Sequence, residues 1–275
     1  MAWFEETYHR HWRQRIEIER VIHEERTEFQ DLLIFDSADF GRVLALDGIV
    51  QVTERDEFIY HEMLSHVPMM AHGEARDVLI IGGGDGGTLE EVLKHDTVAC
   101  AMMVELDPAV VSRCKTHLPS VGLAGFDDPR AEVVFTDGVA FVAETEHRFD
   151  VIIVDSTDEV GPGEVLFSEA FYADCRARLR PGGILACQCG NPYGELELLR
   201  GKRARLAAVF DDVGIYTAAV PTYMGGLFAF AFASDDPARR QVTFDQLGAR
   251  KMPEQLRQYS AAVHVAAFAT PPWLT

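Results

Sequence analysis

The chain is short of positive charge, of long apolar runs and of a cysteine framework. Against 44 Asp and Glu stand 25 Lys and Arg, a net charge of -19 with His neutral. That balance argues against a nucleic-acid surface, which needs clustered cations to displace counterions. It fits a polycationic substrate, whose approach a negative field speeds, and it equally fits plain solubility. The longest apolar run, Leu227 to Ala233, is far too short to cross a bilayer, so no membrane association is expected. The opening MAWFEETYHRHW is charged and lacks an apolar centre, so no signal peptide is expected and a cytoplasmic enzyme is the natural class. Five cysteines, Cys100, Cys114, Cys175, Cys187 and Cys189, are odd in number and fall in apolar segments, as reduced core thiols do. Cys187 and Cys189 share one face of an expected strand, but zinc would need two further ligands that no nearby spacing supplies, so no metal site is expected.

The informative stretch is DVLIIGGGD followed by GGTLEEV, from Asp77 onward. Val78 to Ile81 is a short continuous apolar run, suited to a parallel strand covered on both faces. Gly82, Gly84 and Gly87 follow with GxGxxG spacing, where missing side chains let backbone approach a ligand, and Thr88 begins a helical pattern. Further on, MMVELD reads as a second strand ending in Glu105, the place of a carboxylate that accepts from ribose hydroxyls. The unit points to an adenosine-containing ligand. Asp85 narrows it, because a carboxylate in this loop would repel a pyrophosphate and favour a cation. A sulfonium nucleoside such as S-adenosylmethionine, or better its decarboxylated form, meets that condition; a solvated turn residue is the alternative for Asp85.

At 275 residues the chain can hold one large α/β domain and a smaller appendage. IEIERVI, DLLIFDS, GRVLALDG and IVQVT read as short antiparallel strands, with Asp47-Gly48 as turn material. Asp56 to Met70 has helical spacing and is expected to end near Pro68. From Asp77 strands and helices alternate, which implies a parallel sheet with right-handed crossovers. Arg180-Pro181-Gly182-Gly183 reads as a turn into the strand ILACQC, and GIYTAAV with LFAFAFA reads as an antiparallel hairpin closing the sheet. The expected fold is therefore α/β, a class I methyltransferase-like (Rossmann-like), mostly parallel sheet over residues 57–275, with a small N-terminal antiparallel β domain over 1–56.

Ligands of open α/β sheets bind beyond the carboxyl ends of the strands. The polar residues expected there are Asp85, Glu105, Asp137-Gly138, Asp155 to Asp158 and Gln188. Asp137 is placed to accept from an adenine amino group, or is a plain turn residue. Asp155-Ser156-Thr157-Asp158 ends the apolar strand VIIV and can direct two carboxylates into the cleft, with capping by Asp158 as the alternative.

The strings ALDGIVQVTERDEFIYHEML, IGGGDGGTLEEV, VELD, DSTDEVGPGEVLFSEAFY, VPTYMGG and HVAAFATPPWL closely resemble the spermidine synthases, the polyamine aminopropyltransferases, and in particular their bacterial branch. The resemblance runs through nearly the whole chain in order. It implies transfer of an aminopropyl group from decarboxylated S-adenosylmethionine, a co-substrate rather than a cofactor, to putrescine, giving spermidine and 5′-methylthioadenosine. Matched motif by motif, it implies that Gln30, Glu105, Asp137, Gly138 and Pro162 hold the nucleoside, beside Gly82 and Gly84 of the glycine turn. It implies that His61, Asp85, Asp155, Ser156, Thr157 and Asp158 contact the amine side, that Tyr60, Gln51, Gln188 and Tyr223 line the pocket, and that Asp155 is the proton acceptor. Asp85 or Asp158 would hold the distal ammonium, and a homodimer formed partly through the N-terminal strands is expected. Many relatives carry an acidic or serine-containing segment and then Trp after the strand glutamine, whereas this chain has Gln188-Cys-Gly-Asn-Pro-Tyr193. That departure bears on acceptor length, putrescine against cadaverine or spermidine. An amine N-methyltransferase using intact S-adenosylmethionine and a non-catalytic polyamine or nucleoside sensor are the rival readings; a dehydrogenase is disfavoured by the acidic loop.

Overall fold

The computed structural model describes residues 2–157, 159 and 161–274, with the backbone alone for Gly161 and Pro162. β1 (Ala2–Glu6) and β2 (Gln14–Ile18) form an antiparallel hairpin. β3 (Arg20–Arg26), β4 (Asp31–Ser37), β5 (Gly41–Leu46) and β6 (Ile49–Thr53) follow as a four-stranded antiparallel meander. Asp47 and Gly48 turn β5 into β6 with φ of 47° and 75°, the left-handed pair that a two-residue hairpin loop requires. Two expectations are corrected here. IEIERVI is not one strand, since β2 stops at Ile18 and β3 restarts at Arg20 with a register shift between Val21 and His23. The opening segment, unassigned in the sequence, contributes β1, of which only Phe4 and Glu6 are buried.

α1 (Glu57–His72) leads to the main sheet and is buried at every position from Tyr60 to Ala71, as a helix surrounded by core must be. It runs through Pro68 rather than ending there, its packing outweighing the lost N–H bond, and Gly73 (φ 86°) closes it by donating to the Met69 carbonyl. There follow β7 (Asp77–Gly82), α2 (Gly87–Leu93), β8 (Cys100–Glu105), α3 (Pro108–His117), α4 (Pro119–Asp127), β9 (Ala131–Phe135), α5 (Gly138–Glu144) and β10 (Phe149–Asp155). A 3-10 segment over Gly161–Phe167 precedes α6 (Glu169–Arg178), β11 (Leu179–Gly190), α7 (Leu196–Val209), β12 (Asp212–Ala219), β13 (Leu227–Ser234), α8 (Phe244–Gly248) and α9 (Ala261–Ala267).

The seven strands lie in the order β12-β13-β11-β10-β7-β8-β9, with β13 antiparallel to both neighbours and the remaining contacts parallel. Chain direction across the sheet reverses between β7 and β10, so the crevice beyond their carboxyl ends is the expected ligand position. The Arg180–Gly183 segment is a bulge inside β11 rather than a turn before it. Pairing with β10 shifts between Leu179 and Ile184 and then resumes, with Gly182 at φ 72° taking up the extra length.

The small meander is covered on both faces. Leu32, Ile34, Leu44, Leu46 and Val52 pack on Val110, Cys114, Leu118 and Val121 of α3 and α4. Phe35, Val43, Ala45 and Val50 pack on Phe4 and Ile16 of the β1–β2 hairpin. This alternation pins the meander against the edge of the crevice. Among the described residues no helix is long and apolar enough to cross a membrane.

Candidate active site

The glycine turn works by close approach. A Cβ on Gly82 would lie 2.2 Å from the Asp155 carbonyl oxygen, and the Gly83 N–H donates to that same oxygen at 2.8 Å, so β7 and β10 end locked together. A Cβ on Gly87 would lie 2.3 Å from the His61 ring, so only glycine lets α1 seat its histidine over the first turn of α2.

Asp155 ends β10 with its carboxylate held from two helices. Oδ1 accepts from the Tyr60 hydroxyl of α1 and Oδ2 from Thr88 Oγ1 of α2, both at 2.6 Å. Burial and the nearby Asp85 charge push its pKa above the ordinary carboxylate range, against the opposing pull of His61, Thr88 and Tyr60. Asp85 accepts from the Gly87 N–H at 2.8 Å and faces His61 Nε2 at 3.4 Å, while His61 Nδ1 meets Glu57 at 2.8 Å. Burial alone would raise Asp85, but the charge of His61 outweighs it and holds Asp85 below its usual value. Burial alone would lower His61, but Asp85 and Glu57 outweigh it and hold His61 well above its usual value. A Glu57–His61–Asp85 chain of alternating charge therefore stands beside a less acidic Asp155. His61 is 1% exposed and reaches the cavity through Asp85, which lines it.

On the opposite side of β7, Glu105 ends β8 and accepts from the Asp107 N–H at 2.9 Å. Burial raises its pKa to about 7. Asp107 caps α3 by accepting from the Ala109 N–H at 3.0 Å. Its other oxygen accepts from Gln30 Nε2 at 2.9 Å and Thr27 Oγ1 at 2.8 Å, which ties the meander to the rim of the crevice. Asp137 caps α5 by accepting from the Val139 N–H at 2.7 Å, and Gly138 abuts Ile81.

A cavity of about 320 Å³ connects these groups and is lined by Gln30, Gln51, Tyr60, Gly82, Gly84, Asp85, Glu105, Asp137, Gly138, Asp155, Ser156, Thr157, Gln188 and Tyr223, all expected from the sequence. Tyr60 and Tyr223 meet edge to face at 5.8 Å, and the Tyr223 hydroxyl donates to the Gln51 carbonyl at 2.6 Å. Gln188 Nε2 donates to the Ser156 and Thr157 carbonyls at 3.2 and 3.1 Å. Asp158 lies outside the described residues, as does the side chain of Pro162.

Of the far wall the sequence pointed only to the Gln188–Tyr193 segment, which contains Asn191; Glu6, Tyr8, His9, Glu195 and Met224 line the cavity beside it. For the N-terminal part the local signal was alternation in AWFEE, which turns Glu6 inward beside Phe4. Eight carboxylates line the cavity, Glu6, Asp47, Asp85, Glu105, Asp107, Asp137, Asp155 and Glu195, and no Lys or Arg does among the described residues. Among those residues no group of His, Cys, Asp and Glu is arranged to hold a metal ion, and Cys187 and Cys189 turn into the core.

Residues 57–246 match the spermine/spermidine synthase domain, and residues 2–54 the spermidine synthase tetramerisation domain. Polyamine aminopropyltransferase 1 of Pseudomonas aeruginosa is 52% identical over 276 residues, covering 100% of this chain and 96% of that protein. The polyamine aminopropyltransferase of Escherichia fergusonii is 50% identical over 271 residues, covering 98% and 94%. Among solved structures, a spermidine synthase in complex with the transition-state analogue AdoDATO superposes with a TM-score of 0.94 at 38% identity, covering 99% of this chain and 93% of that one. The spermidine synthase of Thermotoga maritima does so at 0.91 and 37% identity, covering 99% and 92%.

Proposed function

The chain belongs to the spermine/spermidine synthase family, and from that premise we propose that it moves the aminopropyl group of decarboxylated S-adenosylmethionine onto putrescine, releasing 5′-methylthioadenosine and spermidine. The observation that carries this reading is the cavity lined by eight carboxylates and by no Lys or Arg among the described residues. Such a cavity favours a sulfonium donor and a polyamine acceptor and disfavours a pyrophosphate. Intact S-adenosylmethionine would bring a carboxylate toward this acidic wall, which weighs against the methyltransferase reading.

In this reading Glu105 accepts from the ribose hydroxyls, and Asp137 and Gly138 border the adenine. Asp85, kept ionised by His61, would take the ammonium of the donor's aminopropyl chain. The acceptor must attack as a free amine, yet alkylamines titrate near ~10, so passing the proton to a carboxyl of pKa ~4 would be uphill by roughly 8 kcal/mol at ~1.36 per unit. Two effects narrow that gap. Burial raises Asp155, and the neighbouring sulfonium lowers the amine. The amine nitrogen then bonds to the carbon beside sulfur, the C–S bond breaks to leave a neutral thioether, and Asp155 takes the amine proton. Tyr60 and Thr88 fix the carboxylate for in-line attack.

The donor enters as a co-substrate, and no resident cofactor takes part in this scheme. The match of residues 2–54 to a tetramerisation domain favours an oligomer; a homodimer through the N-terminal strands, in the cytoplasm, is the finer proposal, and sedimentation equilibrium checks the subunit number. Mass-spectrometric product analysis with putrescine and either decarboxylated or intact S-adenosylmethionine tests the reaction. Spermidine with methylthioadenosine, from the decarboxylated donor alone, is expected. A methylated amine would replace the reading with a methyltransferase, and no product with a sensor.

A further inference from the structure

The far wall of the cavity is a built feature that the reaction scheme leaves unused. Glu195 stands at the N-cap position of α7. Its Oε2 accepts from the Asn191 N–H at 3.2 Å, and its Oε1 accepts from the Tyr8 hydroxyl, reaching across from the N-terminal hairpin. Asn191 is itself fixed, its Nδ2 donating to the Met224 carbonyl at 2.7 Å and its Oδ1 accepting from the Tyr193 N–H at 2.9 Å. Glu6 lies on the same wall, 5% exposed, with one oxygen accepting from the Val50 N–H at 3.0 Å.

A second, independent sign points to a ligand between this wall and Asp155. Gln188 is 2% exposed, and its Oε1 is buried with no hydrogen-bond partner among the described residues, on a side chain that lines the cavity. An orphaned buried acceptor calls for a donor. Gln188, Asn191 and Glu195 line the same cavity as Asp155. An extended diamine with four methylenes spans about 6 Å over its five bonds, short enough to lie within this cavity, whose wall offers the free Gln188 Oε1 and the Glu195 carboxylate to an ammonium. Asp85, by contrast, is at the reacting end and already faces His61.

We propose that Glu195, held in place by Tyr8, receives the second ammonium of the acceptor and thereby measures acceptor length. The proposal rests on the aminopropyl-transfer reading. An ammonium taken from water into this cavity needs a carboxylate with defined geometry, which the two bonds to Glu195 supply. It also gives the Gln188–Tyr193 departure a consequence. With Cys189 and Gly190 directly after the glutamine, the carboxylate nearest this segment in sequence is Glu195 at the start of α7.

The test compares a diamine with a monoamine. Glu195→Gln in the full chain is expected to lower kcat/KM for putrescine by about tenfold or more, chiefly through KM, as loss of a charged hydrogen-bond partner does. The same variant is expected to leave n-butylamine, which has no second ammonium, and the affinity for methylthioadenosine within about twofold of wild type. Glu195→Asp, which withdraws the carboxylate by one bond of about 1.5 Å, is expected to shift preference from putrescine toward cadaverine. Equal losses on diamine and monoamine, or no loss on putrescine, would overturn the proposal. Calorimetric binding of putrescine and of n-butylamine to the methylthioadenosine complex reads the same contact without turnover. If wild type forms no aminopropylated product the reaction fails, while the binding difference still decides Glu195.

Discussion

If Glu105 holds the ribose as proposed, nucleoside affinity is a function of pH. The Glu105 carboxyl is raised to about 7 by burial, and in the proposed reading ribose hydroxyls donate to its ionised form. Binding therefore favours the carboxylate and releases a proton. With a pKa of about 7 the group is about nine-tenths ionised at about pH 8 and about one-tenth ionised at about pH 6, so affinity for methylthioadenosine should fall about tenfold, or about 1.4 kcal/mol, between them. Methylthioadenosine is the right probe because it lacks the donor's amine and sulfonium. Calorimetry in two buffers of different ionisation enthalpy reads both the affinity and the proton count, with about half a proton released near pH 7. Glu105→Gln should bind more weakly and flatten the profile. Wild-type affinity constant within twofold from about pH 6 to about 8, or uptake of a proton on binding, would refute the reasoning.

The same group carries a stability consequence of fixed sign. Its folded pKa of about 7 lies above the ordinary 4.5, so its contribution is complete at lower pH and is lost as pH rises through that window, by about 3 kcal/mol; urea midpoints for wild type and Glu105→Gln, the variant gaining relative stability toward neutral pH, check it. Asp155→Asn should lower kcat by about 10² to 10⁴ with methylthioadenosine affinity retained, and near-normal turnover would remove Asp155 from the mechanism. Tyr60→Phe takes one of two hydroxyls from the ionised Asp155, so its pKa should rise further and the acid limb of the pH–rate profile should move to higher pH; an unmoved limb would mean the Tyr60 bond does not tune this carboxylate. Gly87→Ala puts a methyl 2.3 Å from His61 and should cost about 1–3 kcal/mol of stability and more than tenfold in kcat/KM; a fully active, equally stable variant would show that His61 can yield.

Where chemistry and local pattern coincide, the sequence was readable. An apolar run bounded by glycines has one good use, and the acid at the end of the next strand follows from sheet topology, so β7, Gly82, Asp85 and Glu105 stood out before any coordinates. Pro68 and Arg180–Gly183 misled because local breaker chemistry was outweighed by packing, through a helix buried on all sides in one case and a strand able to absorb a bulge in the other. The depth of His61 was not readable, since burial of a single ring is decided by what packs over it, here Gly87. The far wall was hidden for a different reason. Tyr8 and Glu195 are 187 positions apart, so the pair has no local signature.

The glycine turn has a thermodynamic corollary. Glycine-rich loops are commonly disordered until a ligand arrives, and the ligand must then supply the entropy of ordering them. Here the space beside Gly82 is filled by the Asp155 carbonyl and the space beside Gly87 by the His61 ring. The conformational freedom of those residues is therefore surrendered during folding, when burial of the strands around them can compensate. Donor binding meets a turn already shaped, so its heat-capacity change should report apolar surface covered rather than chain being ordered.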